Sequence, residues 1–240
     1  MKMKKFYWAF SILSVIFLVF SAAAAASATA ENKQPKEPLD KITFIHYKDG
    51  KVKIANPGKP QAEKCYKLMG VKWKNLPVSY AINPANLQEL PETFVTSGIS
   101  ASAETWDNAT SGELFSNAYT VNYKAQYGLQ NYENAVVFGD YPNDKVIAVT
   151  TVWYTRVGKQ IVEFDMLLNT RFVWGDAAID PTKMDLQNIA THELGHSIGL
   201  SDLYNACTEE TMYGYSTEGE TKKRDLNTGD MAGLLALYGI

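Results

Sequence analysis

His192-Glu193-Leu194-Gly195-His196-Ser197-Ile198-Gly199-Leu200-Ser201-Asp202 is the stretch from which the rest of this chain is read. Two histidines four residues apart share one face of a helix, with side chains roughly 5–6 Å apart. That spacing suits two imidazoles converging on one tetrahedral Zn²⁺. Glu193 projects beside the same face, where it can serve as general base to a metal-bound water. Gly199 lets the backbone leave the helix, as glycine does at helix ends. The chain can then turn back and deliver Asp202 as a third ligand, since a carboxylate also binds Zn²⁺.

The helix itself is well specified. Leu186, Ile189, Ala190, Leu194 and Ile198 fall on one broad face at helical spacing. Asn188, Thr191 and Gly195 form a small polar stripe opposite, and Asp185 is the expected N-cap. The bare H-E-x-x-H pattern also occurs on solvated surface helices. Three features point beyond that reading: the continuation to Gly199 and Asp202, the nearby Thr211-Met212-Tyr213-Gly214-Tyr215, and a total of only three histidines. The remaining one, His46, falls in an expected strand near the N-terminus and is the alternative third ligand.

Together these segments resemble the extended zinc signature and Met-turn of the metzincin metallopeptidases. Lys72 to Ile82, Ala101 to Trp106, Phe164 to Asn169 and the ending Leu226 to Gly239 resemble, more softly, the strands and helices of the matrixin branch. The resemblance covers roughly residues 65–240. Matrixins usually place a third His where this chain has Asp202; snapalysin, a small secreted metzincin, is similar in having Asp there. Carboxylate for imidazole lowers the charge of the site by one, which should weaken the metal's power to acidify its bound water.

The resemblance implies a twisted, mostly parallel sheet with an antiparallel edge strand, an active-site helix and a C-terminal helix. It implies Zn²⁺ on His192, His196 and Asp202, with Met212 as a packed floor beneath the metal. Tyr213 and Tyr215 would line the pocket for the residue after the cut, or else pack against the last helix. Val146 to Tyr154 would be the sheet edge above the cleft, where an extended peptide adds as a strand. Ca²⁺ is a further possibility by the same resemblance, with Asp140, Asp144, Asp165 and Asp176 offered as ligands.

Lys2, Lys4 and Lys5 precede an apolar run from Phe6 to Phe20 and an alanine-rich stretch, the layout of a secretory signal peptide over residues 1–30. An uncleaved membrane anchor is the alternative, because Phe6 to Ala26 could just span a bilayer. Loss of a leader with three lysines and no acid takes the formal charge from −3 to −6, which argues against nucleic acid as a partner. Cys65 and Cys207 are the only cysteines. In an exported protein an even pair suggests one disulfide. Two separate thiols, or Cys65 as an inhibitory zinc ligand, are the other readings.

Residues 31–64 read as an N-terminal extension, either a short pro-segment or a hairpin, and residues 65–240 as the catalytic domain. Glu31 to Asp40 is rich in Lys, Glu and Pro and reads as a flexible lead-in. Thr43 to Tyr47 and Val52 to Ala55 read as strands joined at Asp49-Gly50. Pro91 begins a helix to about Ala109. Thr120 to Tyr123 and Ala135 to Phe138 read as strands, and Val146 to Tyr154 pairs with Gln160 to Leu168 as a hairpin. One helix, then mostly strands, then helices gives an α/β or α+β fold. The functional expectation is a secreted, monomeric zinc endopeptidase acting on extended peptides. The alternative is a secreted or membrane-tethered zinc-containing binding protein without catalysis.

Overall fold

The first long strand, β1 (Leu39–Lys48), comes from the segment assigned to the extension, yet it joins the main sheet. In this computed structural model residues 37–49 and 64–239 are described. The expected leader, most of the lead-in and the partner strand Val52 to Ala55 lie outside them. Asp40 does not belong to a flexible lead-in: β1 already begins at Leu39.

The chain continues through β2 (Ala81–Asn83), α1 (Glu92–Asp107), β3 (Thr120–Val121), β4 (Ala135–Gly139), β5 (Val146–Thr155) and β6 (Ile161–Asn169). Then come β7 (Trp174–Gly175), β8 (Met184–Asp185), α2 (Leu186–Ser197), β9 (Tyr215–Ser216) and α3 (Thr228–Tyr238). The main sheet has the order β3-β2-β4-β6-β5-β1-β9, and β7 pairs with β8 apart from it. Strands β3, β2, β4 and β6 are mutually parallel. β5 runs antiparallel to both β6 and β1, and β1 is parallel to β9. The mostly parallel sheet with an antiparallel strand is therefore present.

β5 is not an edge. Its outer side pairs with β1 from Leu39 opposite Thr155 to Tyr47 opposite Val146. The β-branched and aromatic run Ile42-Thr43-Phe44-Ile45 favours a strand, and an edge with unpaired N–H and C=O groups takes one up readily. The β5–β6 hairpin forms as expected, with a register shift at Trp153/Tyr154.

The core lies between the sheet and the helices. Ile82, Val136, Ile147, Phe164, Met166 and Leu168 from strands meet Val95, Ile99 and Trp106 of α1 and Leu186, Ile189, Leu194 and Ile198 of α2, all fully buried or nearly so. Fully burying one such side chain is worth about 1.5–3 kcal/mol, so α2 is fixed by its apolar face.

The stripe opposite that face is also buried. Thr191 carries the carbonyl that accepts the Trp106 indole N–H at 2.8 Å, and Asn188 Oδ1 accepts the Lys223 backbone N–H at 2.7 Å. A Cβ on Gly195 would lie 2.2 Å from Met212 Sδ and 2.7 Å from the Trp106 ring, so only glycine allows this approach. Helix α2 is thus enclosed by α1, the sheet and the turn after the third-ligand loop.

Candidate active site

Both ends of α2 are held before any chemistry is considered. Asp185 caps its start, its carboxylate accepting the Asn188 N–H at 2.8 Å. Arg224 donates to Asp185 and also to Asp176, locking that cap to the 3-10 turn Lys222–Arg224. At the other end Gly199 takes φ +110°, a conformation that favours glycine. Val71 O would meet a Cβ there at 2.5 Å.

Beyond Gly199 the chain is pinned on two sides. Ser201 N donates to Lys67 O at 2.8 Å, and Leu203 N donates to Met212 O at 2.8 Å. Cys65 and Cys207 form a disulfide across a sequence separation of 142, so the two-thiol and zinc-ligand readings of Cys65 fall away. Asp230 of α3 accepts Thr211 N at 2.8 Å and Met212 N at 3.1 Å, which shapes the Met-turn.

These supports bring His192, His196 and Asp202 together, with one ligand atom from each inside a 4.8 Å cluster. Asp202 Oδ1 lies 3.1 Å from His192 Nε2 and 3.3 Å from His196 Nε2. Ligands of a tetrahedral Zn²⁺ at about 2.0–2.2 Å stand about 3.3–3.5 Å apart, so the spacing fits. The hydrogen bonding fits as well. His192 Nδ1 is 2.7 Å from Thr211 O, and His196 Nδ1 is 2.9 Å from Leu200 O. A carbonyl only accepts, so each Nδ1 carries the proton and a neutral ring presents a bare Nε2. His192 Nε2, His196 Nε2 and Asp202 Oδ1 are buried with no hydrogen-bond partner. Three acceptors facing one another call for a cation.

The electrostatics agree. Burial, aided by the Lys223 charge, lowers the His192 pKa to about 4 and keeps its ring neutral. Desolvation works against ionising Asp202, but the charge that His196 carries when no metal is bound and the closeness of both rings overcome it and hold Asp202 well below its usual value. Desolvation likewise opposes charge on His196, and Asp202 reverses that. Without a metal, a proton on His196 answers the same carboxylate.

Met212 is buried and packs against Gly195, on the helix that carries His192 and His196. Tyr213 is buried and Tyr215 half-buried, their rings 5.8 Å apart, with Tyr204 5.2 Å from Tyr215.

The calcium ligands do not assemble. Asp140 and Asp144 both pair with Arg171, Asp176 pairs with Arg224, and buried Asp165 accepts Gly128 N at 2.7 Å. None belongs to a metal-type cluster among the described residues.

Glu193 is fully buried beside the cluster. Thr150 Oγ1 donates to its Oε2 at 2.6 Å, and His46 Nδ1 lies 3.0 Å from its Oε1. Burial raises its pKa to about 7. His46 groups with His192 and Glu193, whereas Asp202 is the residue that groups with both His192 and His196. Sequence reading passed over Thr150, Phe44 and Lys223. Phe44 stacks on the His196 ring at 3.9 Å and 8°. Lys223, wholly buried, donates to Tyr213 O, Tyr215 O at 2.8 Å and Ser216 Oγ at 2.8 Å. Only the strand expected over Thr43 to Tyr47 carried a signal for any of these; Lys223 stands in a basic run that reads as surface.

The family model described as matrixin matches residues 72–239, most of the chain, with His192, Glu193, His196 and Asp202 inside the match and Phe44 and His46 outside it. The chain belongs to the matrixin family. It is also similar to Metalloendoproteinase 1-MMP of Arabidopsis thaliana, 43% identical over 56 residues. That alignment covers 23% of this chain and 15% of the relative, so the chain spans a small part of that protein's length. As a matrixin it carries a His-His-Asp cluster, consistent with a snapalysin-like aspartate as third ligand.

Proposed function

We propose that this matrixin is an exported zinc-dependent endopeptidase whose metal is held by His192, His196 and Asp202 and whose general base is Glu193. The observation that carries this is the convergence of three unpartnered acceptor atoms beside a buried carboxyl. A structural zinc site is closed by four protein ligands, whereas catalytic sites use three.

Zinc held there supplies Lewis acidity, easing deprotonation of water and polarising a carbonyl. The remaining steps belong to side chains. Glu193, with a pKa near neutrality, takes the proton of the attacking water and passes it to the leaving amine. Thr150 holds one carboxylate oxygen, and the other, which His46 faces in this structure, is the one that would take the proton. Met212 and Gly195 keep the floor rigid. An extended peptide would align by strand addition along β5 only on the side that β1 takes in this structure, and Tyr213 and Tyr215 form the wall for the residue after the cut. Export is supported by the leader-like residues 1–30 and by the disulfide. Among the described residues no helix is long and apolar enough to cross a membrane.

The second reading is a zinc-containing protein without catalysis, and His46 on Glu193 is the observation that favours it. Hydrolysis of a quenched fluorescent peptide by zinc-loaded protein, its loss on chelation and its loss in Glu193→Ala separate the two. Hydrolysis retained by Glu193→Ala would overturn the assignment of the base; no hydrolysis under any condition would favour the second reading.

A further inference from the structure

The groove that a substrate needs is filled by the chain itself. β1 lies between β5 and β9, antiparallel to the first and parallel to the second, where Tyr47 meets Tyr215 and Lys48 meets Ser216. Alternate side chains of a strand point to one face, and here that face is the site. Phe44 covers His196. Two residues on, His46 reaches Glu193 Oε1 at 3.0 Å and packs on the His192 ring with centroids 4.0 Å apart. Lys223 Nζ lies 3.4 Å from His46 Nε2. A lysine ammonium can only donate, so Nε2 accepts and Nδ1 carries the proton to Glu193. Both Glu193 oxygens are then engaged, by His46 and by Thr150.

We propose that Leu39–Lys48 is a tethered peptide ligand of the cleft, which withholds Glu193 and the β5 backbone until it leaves. This rests on the peptidase reading for its consequence, though not for the binding itself. The occupant also shows what the groove accepts: an extended peptide with an aromatic ring over His196 and, two residues later, a hydrogen-bonding side chain between Glu193 and Lys223.

The strand is built to be displaceable. His46 is its only buried residue, whereas nearly all of β5 is buried. Its ends are held by Asp40–Arg156 and Lys48–Glu218, ion pairs with partly exposed partners. Such pairs add little stability.

The test uses the full zinc-loaded chain. Amide hydrogen exchange is followed in wild type, in Phe44→Ala/His46→Ala and in the milder Asp40→Ala/Lys48→Ala. Binding of a fluorescently labelled peptide with the sequence of residues 39–48 is measured alongside hydrolysis of a quenched peptide. The double variant at 44 and 46 should exchange its Leu39–Lys48 amides at least about tenfold faster, with α2 protection unchanged. It should bind the labelled peptide where wild type does not, and hydrolyse the quenched peptide about tenfold faster or more. If that variant loses α2 protection, the milder pair decides, through faster exchange confined to Leu39–Lys48. Strand amides that exchange no faster than α2 in every folded variant, with no peptide binding, would overturn the proposal. Fast hydrolysis by wild type, unchanged in the variants, would overturn it while leaving the peptidase reading intact. Strand release and peptide binding without any hydrolysis would support it and sink that reading instead.

Discussion

Thr150 Oγ1 donates to Glu193 Oε2 at 2.6 Å inside a fully buried pocket, so a hydroxyl on the neighbouring sheet strand holds the carboxyl proposed as the general base. The carboxyl is raised to about 7 because burial outweighs every favourable contact, this hydrogen bond included. A bond to the charged form lowers a pKa. Thr150→Val should therefore raise the Glu193 pKa further. The acid limb of the pH dependence of kcat/KM, where the base must be ionised, should move to higher pH, and zinc content should not change. A limb that stays in place would mean that Thr150 does not tune the base.

Gly195 offers a steric test of the floor. With Met212 Sδ 2.2 Å and Trp106 2.7 Å from where a Cβ would stand, Gly195→Ala must push one of them aside. Overpacking of this kind costs about 1–3 kcal/mol. Thermal unfolding should show the loss, and the activity should fall with it because the displaced Met-turn carries Thr211 O, the acceptor for His192 Nδ1. An alanine variant as stable as wild type would show that Met212 yields freely.

Asp165 gives a pH dependence of stability away from the metal cluster. Burial raises it to about 7, against an ordinary value of 3.8, and its Oδ1 has no partner. Between those two values the folded chain binds more protons than the unfolded one. Its contribution thus makes the fold less stable as pH rises from about 4 to 7. Asp107, raised by burial to about 6, acts in the same sense. Asp165→Asn should flatten the decline between pH 5 and pH 7 without abolishing it, as read by chemical denaturation. An unaltered slope would remove Asp165 from the account.

The disulfide is expected to matter for stability and for the third ligand together. Closing a loop across a separation of 142 residues is worth about 4–5 kcal/mol in the chain-entropy picture. The bridge also anchors the segment whose Lys67 O receives Ser201 N, one residue before Asp202. Cys65→Ser/Cys207→Ser should lower the denaturation midpoint and weaken zinc binding in the folded state. Loss of stability with undiminished zinc affinity would separate the two roles.

Local chemistry was legible in the sequence wherever one element carried it alone. The cap at Asp185, the exit at Gly199 and the hairpin of β5 and β6 all follow from short-range pattern. The His192–His196–Asp202 cluster was legible because helix pitch and one glycine place it. What long-range packing decides was not legible. Thr150 sits in a strand where any β-branched residue fits, and nothing local says that its hydroxyl meets Glu193. Lys223 reads as a surface charge until the backbone carbonyls of Tyr213 and Tyr215 turn toward it. The edge position of β5 was inferred from a domain without its N-terminal strand; β1 fills the slot because a β-branched and aromatic run pairs wherever an edge is open.

The central claim is that two imidazoles and one aspartate hold zinc, with no fourth protein ligand. Anomalous diffraction at the zinc edge from crystals of the loaded protein tests it directly. The account expects one peak per chain, within about 2.0–2.2 Å of His192 Nε2, His196 Nε2 and an Asp202 carboxylate oxygen. A peak with Asp202 turned away, or with a fourth side chain such as His46 completing the shell, would contradict it.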